Sequence, residues 1–468
     1  MQQEKKRNTF AGSIGFVLAA AGSAVGLGNI WRFPHLAAKD GGGLFLLIYL
    51  VLALTFGYTL LASELAIGRK TRKGALQAYG KLHRKYGFLG AIASLVPLII
   101  LPYYCAIGGW VLKYFLVFLT GHGVDATASG YFTDFITSPV QPVALGLLFV
   151  LMVAFIIFRG VNKGIESSSK LIMPVLFVLV IGIAVFSMTI SHTDESGVTR
   201  TGLQGLKILL VPDFSGLTLK GFFTVLMDAM GQLFYSISVA MGIMVTYGSY
   251  VSDDANLGKS INQIEFFDTL VAFLAAAMII PAVYTVMGRE GMEASGPSLM
   301  FVSLPKVFEA MGVAGHVVGA LFFLLVFFAA LTSAVSVMEA IVSGLMDRFH
   351  MSRARATALE TVVAVVMCLL VCLGYNGLYF DILLPNGAHA QLLDVMDYVS
   401  NNCLMPIVAI GTCALIGWTL SPKVVIDEVE KNGQRFGRRR LYTITIKIIA
   451  PILLTVLLLK SVGLLTVI

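Results

Sequence analysis

Charge is what this chain has least of. Only 13% of its 468 residues are Asp, Glu, Lys or Arg, against roughly 25% in soluble domains, and a water-soluble enzyme of this length is excluded. Cysteine gives no framework either. Cys105, Cys368, Cys372, Cys403 and Cys413 all lie in apolar stretches, without a CxxC pair or a histidine-rich neighbour. They read as buried structural thiols, and neither a disulfide scaffold nor a metal site is supported. No HExxH, GxSxG or paired-aspartate protease motif occurs, which speaks against an intramembrane enzyme. What the chain has in excess is apolar surface. Hydrophobic residues make up 57% before 47 glycines are counted, and the mean hydropathy is +0.86. The composition is that of a polytopic membrane protein.

Apolar stretches of about 20 residues bounded by charge or turn residues number eleven: 10–34, 42–68, 88–120, 141–158, 168–190, 221–250, 262–287, 316–346, 356–375, 392–420 and 443–467. Segments this long are helices, since lipid admits only helices or closed barrels and barrel strands are far shorter. The start, Lys5, Lys6 and Arg7 before an apolar run, imitates a secretory signal peptide. The run continues through Trp31, Arg32, Phe33 and Pro34 with no clear end to an export signal, so it is read as the first span.

Lysine and arginine set the orientation. With the N-terminus inside, 23 of the 33 fall on cytoplasmic segments: three at the N-terminus, seven from Arg69 to Lys85, then Arg159, Lys163, Lys170, Lys259, Arg348, Arg353 and Arg355, and six from Lys423 to Arg440. Arg200, Lys207, Lys220, Arg289, Lys306 and Lys460 fall outside. The net charge of +7 is thereby a topology signal rather than a nucleic-acid footprint, and an odd span count leaves the C-terminus outside. Two loops have content of their own. Segment 288–314 carries an amphipathic stretch (Leu299, Phe301, Val302, Leu304, Val307, Phe308) that reads as a re-entrant lid or as a plain interfacial helix. Segment 421–440 reads as a solvated charged loop without a nucleotide motif.

Two spans are broken in the middle. The first carries Gly22, Gly26, Gly28, Ser23 and Asn29 at its centre; the sixth carries Gly231, Gln232, Tyr235, Ser236, Ser238 and Gly242. Gly22 and Gly26 alone would also suit a helix-packing motif. Matching breaks in two halves point further, to a transporter site, because unwound backbone offers carbonyls to cations and half-helix amides to anions. Spans 1 and 6 would each open a five-helix repeat.

These residues resemble a known family. Gly22-Ser-Ala-Val-Gly-Leu-Gly-Asn29-Ile-Trp-Arg32-Phe-Pro34, followed by Gly41, Gly42 and Gly43, is similar to the first-span signature of the neurotransmitter:sodium symporters, in their bacterial amino-acid branch. Gly231-Gln232, Tyr247-Gly-Ser-Tyr250, Arg159-Gly160, Lys163-Gly164-Ile165-Glu166 and Phe328-Ala-Ala-Leu-Thr332-Ser333 resemble its other motifs in order. The resemblance covers spans 1 to 10 and extends to span 11; the twelfth span of many members is absent. It implies an all-α polytopic protein of 11 transmembrane helices with a 5+5 inverted repeat and broken helices 1 and 6. Repeat one is 1–190, repeat two 221–420, and span 11 is 443–467, all in a single transporter domain, 1–468.

Residue roles follow from the same resemblance. One sodium ion would take the Ala24 carbonyl, Asn29, Ser236 and Asp268, with the substrate carboxylate completing the shell. A second would take the carbonyls of Gly22, Val25 and Ala329 and the hydroxyls of Thr332 and Ser333; taken alone, those two hydroxyls would simply bond back to their own helix. Chloride-dependent members hold the anion with a tyrosine, a glutamine and two serines. Tyr49, Gln232 and Ser236 match, but Ala272 replaces the fourth, and Asp268 stands one helical turn before it. A carboxylate inside an apolar run is costly and should face a cation; its fixed charge is expected to replace chloride, so no chloride is required.

Monoamine carriers of the family place an aspartate where this chain has Gly26, so an amino-acid carboxylate is expected to approach the Leu27 and Gly28 amides and Tyr104. Ala24, Ile100, Tyr235, Ser236, Ser238, Met241, Ser333 and Val337 would complete a pocket suited to a hydrophobic or aromatic side chain, with Tyr235 standing where a phenylalanine is usual. Ordinary helix packing is the alternative reading for Ile100 and Val337. Arg32 with Asp397, assisted by Asp394, would close the outer side, and Arg7, Asp347 and Tyr250 the inner side. Glu64 is read as a structural bond to broken backbone, and Glu339 has no assigned role.

The expectation is a sodium-coupled amino-acid symporter in the bacterial inner membrane, N-terminus cytoplasmic and C-terminus outside, a monomer or weak homodimer with no nucleic-acid partner. The competing readings are an amine or osmolyte carrier, or a channel or receptor on the same scaffold.

Overall fold

A computed structural model describes residues 9–194, 196–215 and 217–465. Arg7 lies outside them. Among the described residues nine helices are long and apolar enough to cross a membrane, and a tenth span follows if the bent pair Ser13–Ala24 and Gly28–Lys39, which turns by 54°, is one crossing. Segment 219–249 falls short of that measure because it is interrupted: Leu219–Ser236 and Ile243–Ser249 are separate helices. The apolar runs underestimate helix length at most N-terminal ends. The helix expected at 168–190 starts at Val161, and that expected at 316–346 runs from Val313 to Phe349. Polar helical turns continue past the hydrocarbon-compatible stretch.

The spans sort into a centre and a rim. In Val313–Phe349 (span 8), 72% of the most apolar window is buried, whereas Gln141–Phe158 (span 4), Val161–Thr189 (span 5) and Arg353–Leu373 (span 9) are 39% buried. Span 8 packs along the 33-residue helix Gly87–Leu119 (span 3), and the first half of span 1 lies against span 8 and Leu257–Met287 (span 7). Leu151, Phe155, Val178 and Val362 on the rim spans are exposed, as lipid-facing side chains must be when the solvent is itself apolar. The only strands among the described residues are two short hairpins, Ser191–Thr193 with Thr199–Thr201 and Ile382–Leu383 with His389–Ala390.

Both loops with content of their own are resolved. Leu299, Phe301, Leu304, Val307 and Phe308 are buried and only Val302 is exposed. Phe301 stacks on Phe132 (5.0 Å), and its carbonyl accepts the Tyr114 hydroxyl at 2.9 Å. The segment dips into the bundle, which favours the lid over an interfacial helix. The reading of 421–440 as a solvated loop is corrected. Lys423–Val429 is a helix with Val425, Ile426 and Val429 buried. Its Glu428 pairs at 2.8 Å with Arg69, whose side chain is fully buried. A buried guanidinium requires an acid and hydrogen-bond acceptors, and a partner 359 residues away is invisible to local sequence.

Candidate functional site

The two breaks face one another at the centre of the bundle, and their backbone is tied by side chains. In span 6, Ser238, Ala240 and Gly242 all adopt positive φ (54°, 62° and 73°). For serine and alanine this is a strained conformation that persists only where the surroundings impose it. Here they do: the Ala240 amide donates to Glu64 Oε1 at 2.6 Å, and the Ser238 hydroxyl donates to the Ser23 carbonyl at 3.0 Å. Glu64, 2% exposed, supplies the acceptor that the interrupted helix lacks.

In span 1 the α-helix ends at Ala24 and resumes at Gly28. Glycine is required at the resumption for space. A Cβ at Gly26 would stand 3.0 Å from Ser333 Oγ and 3.1 Å from Tyr104 Oη, and one at Gly28 would meet the Tyr235 ring at 2.7 Å. The Leu27 amide donates to Tyr104 Oη at 3.3 Å. The new helix presents its N-terminal amides to this space, where a carboxylate is favoured.

An oxygen cluster sits between the breaks. Asn29 Nδ2 donates to Asp268 Oδ1 at 2.8 Å, and the Ser236 hydroxyl lies 2.7 Å from both Asn29 Oδ1 and Asp268 Oδ1. Asn29 and Asp268 are fully buried. Asp268 Oδ2, Tyr49 Oη and Gln232 Oε1 are buried without a hydrogen-bond partner among the described residues, while Gln232 Nε2 donates to the Gly28 carbonyl at 3.1 Å. Buried acceptors without donors are costly, and a carboxylate among neutral oxygens suits a cation. Ala24, Asn29 and Ser236 line one cavity, and Asp268 is joined to it through its bonds with Asn29 and Ser236.

The second set also converges. Ser333 Oγ lies 3.1 Å from the Ser23 carbonyl, 3.4 Å from that of Gly22 and 3.5 Å from that of Val25. Thr332 Oγ1 bonds back to the Phe328 and Ala329 carbonyls at 3.0 and 3.2 Å and stands against Gly22, whose Cβ would lie 3.3 Å from its own. The Ser333 hydroxyl here donates to carbonyls at the break of span 1, the kind of group a sodium ion would use.

All the residues expected around a substrate, namely Ala24, Leu27, Gly28, Ile100, Tyr104, Tyr235, Ser236, Ser238, Met241, Ser333 and Val337, line a single cavity, joined by Ser23, Gly26, Asn29 and Ile243. It encloses about 30 Å³, roughly the share of liquid that one water molecule occupies. A ligand larger than a water molecule therefore enters only when the lining opens, and Met241 and the half-buried Tyr235 are the adaptable walls.

The expected gates are only partly paired. Arg32 makes no ion pair with Asp397 within 4 Å among the described residues; it is exposed, and Asp397 Oδ1 instead accepts from Tyr103 Oη at 3.0 Å and Asn401 Nδ2 at 2.6 Å. Asp394 caps its own helix through Gln391. On the opposite face Asp347 Oδ2 accepts the Gly74 amide at 2.7 Å. Tyr250 Oη donates to Glu339 Oε1 at 2.5 Å, and its carbonyl accepts the Phe10 amide at 3.2 Å. Sequence reasoning missed what holds Glu339: Arg353 grips both its oxygens at 2.7 and 2.8 Å. The signal was present in the unassigned carboxylate, since one in a span calls for a cation.

Two interrupted helices meeting at a buried oxygen cluster, enclosed on both faces by polar closures, define a membrane transporter rather than an enzyme. Comparison gives the family. The profile of the sodium:neurotransmitter symporter family matches residues 7–127 and 136–467, and the chain belongs to this family. An uncharacterized sodium-dependent transporter of Bacillus subtilis, YhdH, is 34% identical, with 99% of each chain covered. The human sodium- and chloride-dependent GABA transporter 2 is 26% identical over 89% of this chain and 73% of its own length. The crystal structure of MhsT in complex with L-phenylalanine superposes with a TM-score of 0.84 at 33% identity, covering 97% of this chain and all of that one.

Proposed function

We propose that this sodium-dependent transporter carries a hydrophobic or aromatic L-amino acid by symport with two sodium ions, independently of chloride. The observation that carries the reading is the buried Asn29–Ser236–Asp268 cluster lying between the two helix breaks. Sodium would be held there, with the Ala24 carbonyl and the substrate carboxylate completing its shell. Gly26 leaves the carboxylate room to reach the Leu27 and Gly28 amides and Tyr104. Each ligand then raises affinity for the other. A second ion would take the Gly22, Val25 and Ala329 carbonyls with Thr332 and Ser333. Each sodium moving inward down 100 mV supplies about 2.3 kcal/mol beyond its concentration gradient.

Asp268 and Ala272 bear on chloride. The carboxylate brings a fixed negative charge to the neighbourhood of Tyr49, Gln232 and Ser236, where relatives use the anion, and Ala272 offers no hydroxyl to bind one. MhsT, the structural neighbour solved with L-phenylalanine, supports the amino-acid class, and Met241, Ile100 and Val337 suit an apolar side chain. Alternating access would rock repeat 1–190 against repeat 221–420, with Arg7, Asp347 and Tyr250 closing the cytoplasmic side and Arg32 and Asp397 the outer side.

The test is uptake into liposomes containing the purified protein, under an inward sodium gradient, with a panel of labelled amino acids and amines in chloride or gluconate. Accumulation of phenylalanine or leucine equal in both anions is expected. A requirement for chloride removes the fixed-charge reading, accumulation of amines alone removes the amino-acid reading, and gradient-independent current without accumulation favours a channel.

A further inference from the structure

Outside the transport path, a cavity of about 370 Å³ opens on the face that carries the basic loops. It is lined by Lys73, Leu76, Gln77, Gly80, Lys81 and Arg348. Three cations converge on it and no carboxylate lines it. Like charges held together repel one another, so the arrangement calls for an anion. Asp347, beside the cavity, accepts the Gly74 amide through Oδ2 at 2.7 Å and Gln77 Nε2 through its carbonyl at 3.1 Å, and its Oδ1 makes a long ion pair with Lys73 Nζ at 3.9 Å. Lys81 is held in place by donating to the Thr71 carbonyl at 3.0 Å. Arg348 makes no hydrogen bond or ion pair among the described residues.

The position favours a membrane source for that anion. Phe349 follows Arg348 and is 62% exposed, and Phe88, beside Gly87 where the chain passes closest to Gly80, is 57% exposed. Exposed phenylalanines next to exposed cations mark the boundary between hydrocarbon and headgroups. Basic residues at that boundary attract anionic lipids, and the volume suits one headgroup.

We infer that Lys73, Lys81 and Arg348 form a binding site for the phosphate headgroup of an anionic membrane phospholipid. The headgroup bridges the helix Ala75–Leu82 to the end of span 8 and draws Lys73 away from Asp347.

Purified full-length protein in detergent, titrated with short-chain phosphatidylglycerol, short-chain phosphatidylcholine or inorganic phosphate, tests this through the thermal unfolding midpoint and native mass spectrometry. Phosphatidylglycerol is expected to raise the midpoint saturably as a single lipid per chain, with the other two inert at the same concentration. Lys81→Gln combined with Arg348→Gln should weaken binding about tenfold or more, and Gln77→Glu, which places a carboxylate in the cavity, should do the same. Arg440→Gln, in the other basic loop, should leave binding within about twofold. Unchanged binding in both the double variant and Gln77→Glu, or equal loss in Arg440→Gln, overturns the site. An equal response to inorganic phosphate alone overturns the lipid assignment.

Discussion

The two faces flanking the central cavity are tied by different chemistry. On the face with the basic loops, Glu339 is gripped through both oxygens by Arg353 and bonded by Tyr250, while Phe10 packs edge-on against Tyr247 and Tyr250. On the other face Asp397 is satisfied by Tyr103 and Asn401, and Arg32 lies in solvent. Removing one partner of a buried ion pair strands the other charge, whereas a carboxylate held by two uncharged donors keeps one hydrogen bond when the other is lost. The ion pair is therefore the costlier of the two contacts to break by removing one partner.

The largest effect is expected not at either closure but at the ion cluster between them. Asp268→Ala removes the one carboxylate there and should abolish sodium-dependent uptake; retained uptake would detach Asp268 from coupling. Next, Glu339→Gln or Arg353→Gln alone should destabilise the closed state by about 3–5 kcal/mol, read as a lower unfolding midpoint and faster labelling of a cysteine introduced beneath Tyr250. The double variant Glu339→Gln with Arg353→Gln should cost less than the sum of the two. Additive losses would show that the pair does not act as a unit.

Thr332→Ala with Ser333→Ala should weaken sodium-dependent substrate binding about tenfold or more, at roughly 1.4 kcal/mol per tenfold, measured by equilibrium binding at graded sodium. Tyr103→Phe should loosen the contact at Asp397 by about 1.5 kcal/mol, the lower end for a hydrogen bond to a charged group, detectable as faster substrate dissociation. Arg32→Gln should be the smallest in stability terms, within about 0.5 kcal/mol, as for most exposed substitutions. A midpoint shift as large as that of Glu339→Gln would erase the contrast between the faces.

The sequence exposes the breaks more readily than the closures. Glycines and polar residues within an apolar run contradict helix continuity, so spans 1 and 6 stand out, and an isolated Glu64 implies a backbone partner. Tyr103 does not stand out, because a tyrosine in an apolar helix reads equally as packing, and only the fold brings Asp397 to it from 294 residues away. Arg353 looks like an orientation signal at the start of a span until the turn after span 8 lays it over Glu339. The charged loop at 421–440 was harder for the opposite reason: one buried ion pair makes a polar segment part of the core.

The proposed sharing of one site by the substrate carboxylate and sodium couples the two ligands. Its most direct measurement is reciprocal binding: the dissociation constant of the transported amino acid at increasing sodium, and that of sodium at increasing amino acid, beside the decarboxylated amine of the same side chain. Equal mutual enhancement is expected for the amino acid, and its loss for the amine. Equal enhancement by the amine would contradict it.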